Sequence, residues 1–285
     1  MMELTRAPET PFMDERLPGM SPLSMADWLQ RDEAFAAQMA YRDELVGREA
    51  EIVLKGEGAP GGGELLALVL DTLAAHDDGY EASGARVRRP DGVVVEIDRA
   101  RPFATLARLV QEDLLILSKE EGADEHRLTG GALLFPSRWS FEEKMGRPLM
   151  AIHDVVPAYD ADLGRRVQRL FDVLRPERPL VRANWLVHPT PELFQPKTYA
   201  GPKRDKELGE AFWLRTERQS LLKLEETGDV VFSIKTVVTP IEALSAEERT
   251  GLRTALTEQS VAMRDYHGGE AHTVAAVEAL EALSG

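Results

Sequence analysis

Two histidines of the chain lie among apolar sequence neighbours, and imidazole is the side chain that most often binds a metal or moves a proton near neutral pH. His153 lies between two apolar runs in Ala-Ile-His-Asp-Val-Val-Pro, residues 151–157, and His188 ends the segment 180–188. A histidine bonded to a carbonyl group and a histidine that ligates a metal both fit the position of His153. The loop that begins at Pro189 predicts a solvent-facing His188. The other four histidines are predicted to lie at the surface: His76, His126, His267 and His272.

A second group of reactive side chains lies in the segment 211–224, which has the composition of a β-strand. Alternation places Arg218 on one face and places Arg215, Glu217 and Gln219 on the other. Because both faces also carry apolar residues, at least one of these polar side chains is expected to be buried, and a buried charge needs a partner. Either Arg215 and Glu217 pair with each other, or an arginine binds an anion such as a cofactor carboxylate.

The segment 180–188 also carries polar side chains on a single face. Alternation places Arg182, Asn184 and His188 on one side and Trp185 on the other. The polar side is expected to face solvent. The tryptophans in and around these segments fit the wall of a binding pocket and a hydrophobic core equally well: Trp139, Trp185 and Trp213.

Several kinds of chemistry are excluded by what the sequence lacks. There is no cysteine, so disulfides, thiolate metal sites and cysteine nucleophiles are absent, and redox chemistry would need a bound group. The motifs of zinc proteases, serine hydrolases, P-loop NTPases and dinucleotide-binding folds are also missing. The adjacent acids at 112–113 and 142–143 are predicted to be solvated.

The net charge is -15, from 34 basic and 49 acidic residues, and a surface of that sign repels nucleic acid and anionic lipid. We therefore expect neither as a partner. No apolar run has the length of a membrane span, and the first residues do not resemble a secretory signal. These features predict a cytoplasmic protein.

Hydrophobic periodicity predicts an α+β protein in which helices flank an antiparallel sheet. Residues 1–23 are predicted to form an extended N-terminal arm and residues 24–285 a single domain. Predicted helices cover about 24–46, 64–76, 104–117, 161–174, a short stretch ending near 146, 245–267 after a Ser245–Glu248 capping box, and a last helix around 274–280. Predicted strands cover 131–136, 180–188, 211–224 and 229–239, with a hairpin at 85–97. Residues 147–157, which include His153, are predicted to be loop.

Long strings of the sequence resemble the haem-dependent oxidative N-demethylase family, and they occur in the family's order. The strings are QEDLLIL, LLFPSRWSFEEKMGRPLMAIHDVVPAY, VRANWLV, LFQP and LRTERQSLLKLEETGDVVFSIKTVV. The resemblance runs from about Trp28 to Leu252. It implies a PAS-like fold with a haem b pocket between the sheet and the helices. The implied reaction uses O2 to oxidise an N-methyl group of a small secondary amine, such as dimethylamine, to formaldehyde.

The resemblance also suggests which residues form the site. The family's histidine-bearing motif falls on His153, which becomes the preferred haem ligand, with His188 in reserve. Glu217, Arg218 and Gln219 match its Glu-Arg-Gln string, and Arg182, Asn184 and Trp185 match its Arg-x-Asn-Trp string.

The roles of the charged residues are inferred from chemistry. Arg182 or Arg218 would bind a haem propionate or stabilise bound oxygen. A carboxylate would accept a proton from the ammonium substrate, and the candidates are Glu217 and Asp154.

Haem subunits of this family receive electrons from a separate reductase that carries FMN and a [2Fe–2S] cluster, and the absence of cysteine here is compatible with such a partner. Two other functions remain open. A PAS-like haem domain also serves as a gas sensor, and a haem-free binding protein would need His153 only as a core residue.

Overall fold

A computed structural model describes residues 19–157, 159–196 and 211–283 of the 285-residue chain. Its ten strands are β1 Ser21–Pro22, β2 Leu54–Lys55, β3 Glu81–Ser83, β4 Arg86–Arg88, β5 Val94–Glu96, β6 Asp113–Ser118, β7 Arg127–Ala132, β8 Leu180–His188, β9 Trp213–Lys223 and β10 Val230–Pro240. Its ten α-helices are α1 Phe35–Arg48, α2 Ala50–Val53, α3 Gly61–His76, α4 Pro102–Ala107, α5 Phe141–Lys144, α6 Leu149–Ile152, α7 Ala161–Val173, α8 Ala246–Glu258, α9 Val261–His267 and α10 Glu270–Ala282.

Seven strands form one antiparallel sheet in the order β1-β8-β9-β10-β6-β7-β2. The predicted hairpin of β9 and β10 is confirmed, with Val230 opposite Lys223 and Pro240 opposite Trp213. The small hairpin of β4 and β5 is also confirmed and belongs to a separate three-stranded sheet. The α+β class is therefore confirmed.

Helices cover both faces of the large sheet. Leu114, Ile116 and Leu222 point to one face and pack against α1, α3 and α4 in the largest apolar cluster. Leu117 and Leu221 point to the other face, where Leu149 of α6 and Phe171 and Leu174 beside α7 cover them. The C-terminal helices α8 and α10 pack on Val187 and Leu214. No helix in the described ranges is long and apolar enough to cross a membrane.

The predicted helix at 104–117 is wrong in its second half. Its first part is the short helix α4, but residues 113–118 form the central strand β6. Leu114 to Leu117 are buried on both faces of the sheet, and such a continuous apolar run has no period that separates a strand from a helix.

Three other helix boundaries also differ. The predicted helix at 24–46 is interrupted, because Ser24 caps a single 3-10 turn and α1 begins only at Phe35. The capping box of Ser245 and Glu248 is confirmed, but the predicted helix to 267 is divided at Gln259 into α8 and α9. Residues 149–152, predicted as loop, form the one-turn helix α6.

The remaining differences concern a strand and the N-terminal arm. The strand predicted at 131–136 lies earlier, at 127–132. Residues 1–18 of the predicted arm lie outside the described residues, and residues 21–22 pair with β8.

A buried ion pair joins the helical layer to the sheet. Arg42 of α1 donates to Asp113 at 2.8 Å, and both side chains are at most 1% exposed. The other carboxylate contacts are the backbone N–H groups of Leu134 and Phe135, at 2.9 and 2.8 Å. The prediction that the acids at 112–113 are solvated is therefore wrong, because Glu112 is buried as well and accepts from the Gln30 backbone.

Candidate functional site

The register of β8 against β9 brings four polar side chains together. Arg182 lies opposite Gln219, and Asn184 lies opposite Glu217. Residues directly opposite each other in an antiparallel pair share a face. We call this side of β8 and β9 the polar face; it also carries Arg215 and His188, and α6 and α7 cover its neighbouring apolar positions.

Glu217 is held in place by its neighbours along the strand. Its carboxylate accepts from Arg215 Nε at 3.3 Å and from Gln219 Nε2 at 3.1 Å. Arg215 is fixed in turn because it donates to the Leu193 carbonyl at 3.2 Å and to the Phe135 carbonyl. The predicted pairing of Arg215 with Glu217 is confirmed. Because Arg215 donates to these protein groups, it is not the arginine best placed to bind an anion.

Arg182 differs from Arg215 because it is half-buried and no hydrogen bond to a described residue fixes its Nε atom. Its Nε atom is inaccessible to solvent and has no hydrogen-bond partner among the described residues. Burial lowers the pKa of the Arg182 guanidinium, and the nearby charge of Glu217 opposes that shift. A half-buried guanidinium with an unused donor is suited to an anion with two oxygens, which its planar fork binds in two parallel hydrogen bonds.

His153 ends α6 above the polar face, close enough to Arg182 for that charge to affect its protonation. Burial lowers the pKa of the His153 imidazole to about 4, and the charges of Lys144 and Arg182 act in the same direction. The ring is therefore neutral near pH 7. Its Nδ1 lies 2.9 Å from the Leu149 carbonyl, and its plane stacks on Tyr159 with ring centroids 4.3 Å apart.

This environment determines which nitrogen of His153 can act as a ligand. A carbonyl oxygen only accepts hydrogen bonds, so Nδ1 must carry the ring proton. Nε2 then has a free lone pair, the arrangement that metal-binding histidines adopt when a carbonyl orients their other nitrogen.

Local packing fixes α6 in this position. Glu125 accepts from the Met150 backbone at 2.9 Å and so satisfies one free N–H group at the helix start. Gly164 of α7 faces Met150 and Tyr159 so closely that a Cβ atom there would collide with the Met150 sulfur. The small residue lets α6 and α7 approach each other and places Tyr159 against His153.

Three of the predicted site residues lie away from this group. Arg218 is on the opposite face of the sheet and donates to the Trp28 carbonyl at 3.2 Å. Trp185 shares that opposite face and lies beside His267, with ring centroids 6.4 Å apart. Asp154 follows His153 but is exposed to solvent.

The structure corrects the predicted exposure of several histidines. His188 is 2% exposed rather than solvent-facing, because residues 137–138 and the C-terminal helices surround it. Its Nε2 lies 3.4 Å from Ser137 Oγ, and its Nδ1 has no partner in the described part of the chain. Burial, together with the charges of Arg138 and Arg215, lowers the pKa of His188 well below its usual range.

Two other histidines that were predicted at the surface are buried. His126 contacts Gln168 and Phe171 of α7, and His272 bonds to the Val187 carbonyl at 3.0 Å. His267 is half-buried, whereas the exposure of His76 is confirmed.

Two residues of the site were not predicted from the sequence. Tyr159 supports the His153 ring, and Lys144 donates to the Ile152 carbonyl at 3.0 Å while lying 4.9 Å from the Trp139 ring centroid. Burial lowers the pKa of Lys144 to about 8. Both residues lie within the long string that resembles the family, but no local pattern marks them as site residues, because both reach the site through the packing of short helices.

The donor set fits a cofactor that brings its own metal ligands. Among residues 19–157, 159–196 and 211–283, no three His, Asp or Glu side chains are grouped to hold a metal ion. A haem iron needs only one or two protein ligands, because the porphyrin supplies four nitrogens. A neutral imidazole with a free Nε2 could serve as such a ligand, and the half-buried Arg182, whose Nε has no partner among the described residues, has the chemistry to bind a carboxylate.

Comparison with known proteins agrees with this chemistry. A search of curated proteins finds no match to the chain. Residues 19–277 match the family described as "Haem-dependent oxidative N-demethylase, alpha subunit-like"; the match covers β1 through most of α10 and includes every residue of the candidate site. The chain therefore belongs to the haem-dependent oxidative N-demethylase alpha subunit-like family.

Proposed function

We propose that the chain binds haem b between the polar face and α6, and that it carries out oxidative N-demethylation of a small secondary amine such as dimethylamine. The family supports haem dependence and this class of reaction. The observation that carries the proposal is the half-buried Arg182, whose Nε is buried and has no partner among the described residues, beside a neutral imidazole with a free Nε2.

In this proposal His153 binds the haem iron, and the iron supplies the redox centre at which O2 is reduced. The Leu149 carbonyl and the Tyr159 ring keep the imidazole oriented, so little side-chain entropy is lost on binding. His188 is the weaker candidate. Its Nδ1 has no partner among the described residues, but His188 lies six residues beyond Arg182 along β8, about 20 Å away in an extended strand.

Arg182 binds a haem propionate in the proposed complex. Of the two arginines predicted from the sequence for this role, Arg182 and Arg218, only Arg182 lies on the polar face, since Arg218 faces the other side of the sheet. A carboxylate at Arg182 would satisfy its unpaired donor and offset its desolvation. Asn184 and Gln219 flank Arg182 and Glu217 and add further hydrogen-bonding groups.

Glu217 is the proposed base. A secondary amine is protonated near neutral pH, and its nitrogen lone pair must be freed before the N-methyl group is readily oxidised. Glu217 is 9% exposed, and its oxygens are positioned by Arg215 and Gln219. It therefore attracts the ammonium and accepts a proton from its nitrogen, while the exposed Asp154 is the second choice.

The strand order supports the proposed PAS-like architecture. Numbered along the chain from β6, the five long strands lie in the order 2-1-5-4-3, with α5–α7 between the second and third. We further propose that residues 24–285 act as one haem domain, and that a reductase with FMN and a [2Fe–2S] cluster supplies the electrons.

Haem content and spectrum test the ligand assignment. The protein is expressed with added haem and its absorption spectrum is recorded in the oxidised and dithionite-reduced states. We expect stoichiometric haem in the wild type, loss or change of the Soret band in His153→Ala, and an unchanged band in the control His76→Ala. An unchanged spectrum in His153→Ala together with a changed one in His188→Ala would transfer the ligand role to His188.

Formaldehyde release then tests the reaction. With dimethylamine, O2 and a chemical electron source, we expect formaldehyde from the haem-loaded wild type and at least about tenfold less from Glu217→Gln, which keeps the hydrogen-bonding shape but removes the base. Haem binding without formaldehyde from any small secondary amine would favour a sensor. A colourless protein would refute the haem proposal.

A further inference from the structure

The outer face of α7 and the turn after it form a basic surface on an acidic chain. Five arginines are exposed along residues 161–178, and we call them, with Val173, the arginine face: Arg165, Arg166, Arg169, Arg175 and Arg178. With three acidic residues in the same segment, residues 161–178 have a net charge of +2, whereas the chain as a whole has a net charge of -15. A helix of this length spans about 20 Å.

Three of these arginines are not neutralised by the rest of the protein. Arg169, Arg175 and Arg178 have no ion pair with any residue in the described ranges, whereas Arg165 pairs with Asp162. Val173 lies among them and is 69% exposed, the highest value among the exposed large apolar side chains. Arginines around an exposed apolar residue have the composition of a protein–protein contact surface.

Exposed acidic residues lie within and beside the arginine face, and those within it are Asp162, Asp172 and Glu177. The turn between β6 and β7 carries Glu120 and Glu121, and Lys119 in this turn pairs with Asp172 on the flank of α7 at 2.9 Å. On a helix with 3.6 residues per turn, Asp172 lies on the same side of α7 as Arg169, three residues away, and its carboxylate is paired with Lys119. A partner would therefore meet unpaired arginines beside carboxylates that are already held in ion pairs within the protein.

The arginine face lies directly behind the candidate haem site. On its inner side α7 packs through Phe171 on the sheet, next to Leu221 of β9. Gly164 of α7 faces Met150 and Tyr159, and Tyr159 stacks on His153. One helix, about 10 Å thick, separates the outer surface from the residues that support the proposed iron ligand.

We propose that the arginine face docks an electron-transfer protein whose redox centre is surrounded by acidic side chains. This inference rests on the proposed function, because only a redox site behind α7 gives the contact a purpose. The size of the face suits the small interfaces of transient electron-transfer complexes, which bury less than about 1,200 Å² in total. A nucleic acid would extend beyond 20 Å and meet the acidic surface around the face, so its phosphates would be repelled.

The test uses a plant-type [2Fe–2S] ferredoxin of net negative charge as the probe, with two charge-matched variants of this chain. Arg169→Glu/Arg175→Glu reverses charge on the arginine face. Arg99→Glu/Arg101→Glu makes the same change in net charge at the exposed start of α4, on the other side of the sheet. Binding is measured by biolayer interferometry on the haem-free chain, and reduction of the haem-loaded chain is followed by stopped-flow spectroscopy.

We expect Arg169→Glu/Arg175→Glu to bind the ferredoxin at least about tenfold more weakly than Arg99→Glu/Arg101→Glu at low salt, and the difference to fall to about twofold at about 0.5 M salt. Reduction by the ferredoxin should slow by the same factor, while reduction by dithionite stays unchanged. Val173→Ser should weaken binding because it removes an apolar contact. The effect should be the same at both salt concentrations because the substitution alters no charge.

Several outcomes would overturn the proposal, and they differ from failure of the proposed function. Equal binding by the two double variants, or no binding of the ferredoxin by the wild type, refutes the docking surface even if the chain holds haem. Tighter binding of a 30-base-pair DNA duplex than of the ferredoxin assigns the face to nucleic acid. The chain could bind the ferredoxin through Arg169 and Arg175 and yet take up no haem. That result would support the docking surface but would show that it does not deliver electrons to a haem.

Discussion

Asp113→Asn is expected to lower the free energy of unfolding by about 3–5 kcal/mol, although the substitution changes few atoms. The carboxylate is 1% exposed and meets three donors, from Arg42 and from the Leu134 and Phe135 backbones, at 2.8 to 2.9 Å. An asparagine offers one acceptor oxygen in the same plane, and its NH2 group would face a donor. At least one buried N–H group would then lose its partner, which costs about 1–3 kcal/mol.

The lost charge adds to this cost, because Arg42 would remain buried without a counter-ion. Arg42 also donates to the carbonyls of Ala107, Gln111 and Glu112, at 3.0, 3.1 and 2.8 Å, and these contacts limit the penalty. The total therefore stays near the range measured for breaking a buried ion pair, about 3–5 kcal/mol.

Urea denaturation followed by circular dichroism measures the change. The control is Glu142→Gln, which removes the partner of Lys55 at a site where the glutamate side chain is 74% exposed. It should cost less than about 1 kcal/mol. A loss below about 1 kcal/mol for Asp113→Asn, with an unchanged m-value, would refute the view that this carboxylate joins α1 to the sheet.

Three further predictions follow from single features of the structure. In urea denaturation, Gly56→Ala should lower the free energy of unfolding by at least about 2 kcal/mol more than the control Gly84→Ala. Both glycines have positive φ, but only at Gly56 would a Cβ atom collide with the backbone of Thr129. Equal losses of stability in the two variants would contradict this. Tyr159→Phe should leave the haem spectrum unchanged and raise the free energy of unfolding by about 1 kcal/mol. The reason is that the Tyr159 hydroxyl is buried and has no hydrogen-bond partner among the described residues. A loss of stability would contradict this. Burial lowers the pKa of His267 to about 4 in the folded protein, whereas its unfolded value is 6.5. As the pH drops from 6.5 to 4, the unfolded state therefore binds the proton more readily than the folded state, and the free energy of unfolding falls. His267→Gln should reduce that fall by about 1–3 kcal/mol in denaturation curves at pH 7 and pH 4.5, and an unchanged fall would contradict the assignment.

The sequence predicts those parts of the fold that depend on local periodicity. β8, β9 and β10 are found within two residues of their predicted limits because polar and apolar residues alternate along them and a short turn joins the last two. β6 was missed because Leu114 to Leu117 are apolar on both faces, and only the pairing with β7 and β10 makes them a strand.

The candidate site could be predicted only in part for a similar reason. Alternation alone separates Glu217 from Arg218, and the structure confirms that they face opposite sides of the sheet. The burial of His126, His188 and His272 depends on helices from distant parts of the chain, and no local pattern reports it. Tyr159 contacts His153 because α6 and α7 lie close together, which the small residue Gly164 allows. A single glycine in a helix does not predict such a contact from the sequence.

The strand order also determines how long β6 remains partly unpaired during synthesis. β6 and β7 leave the ribosome early, but the strand that pairs with the other edge of β6 is β10, roughly 110 residues later. At roughly 5–20 residues per second, the apolar strand Asp113–Ser118 waits about 6–20 s with one edge open. During that interval the nascent chain presents an unpaired apolar edge, which is prone to pair with other chains until Val230–Pro240 has been synthesised.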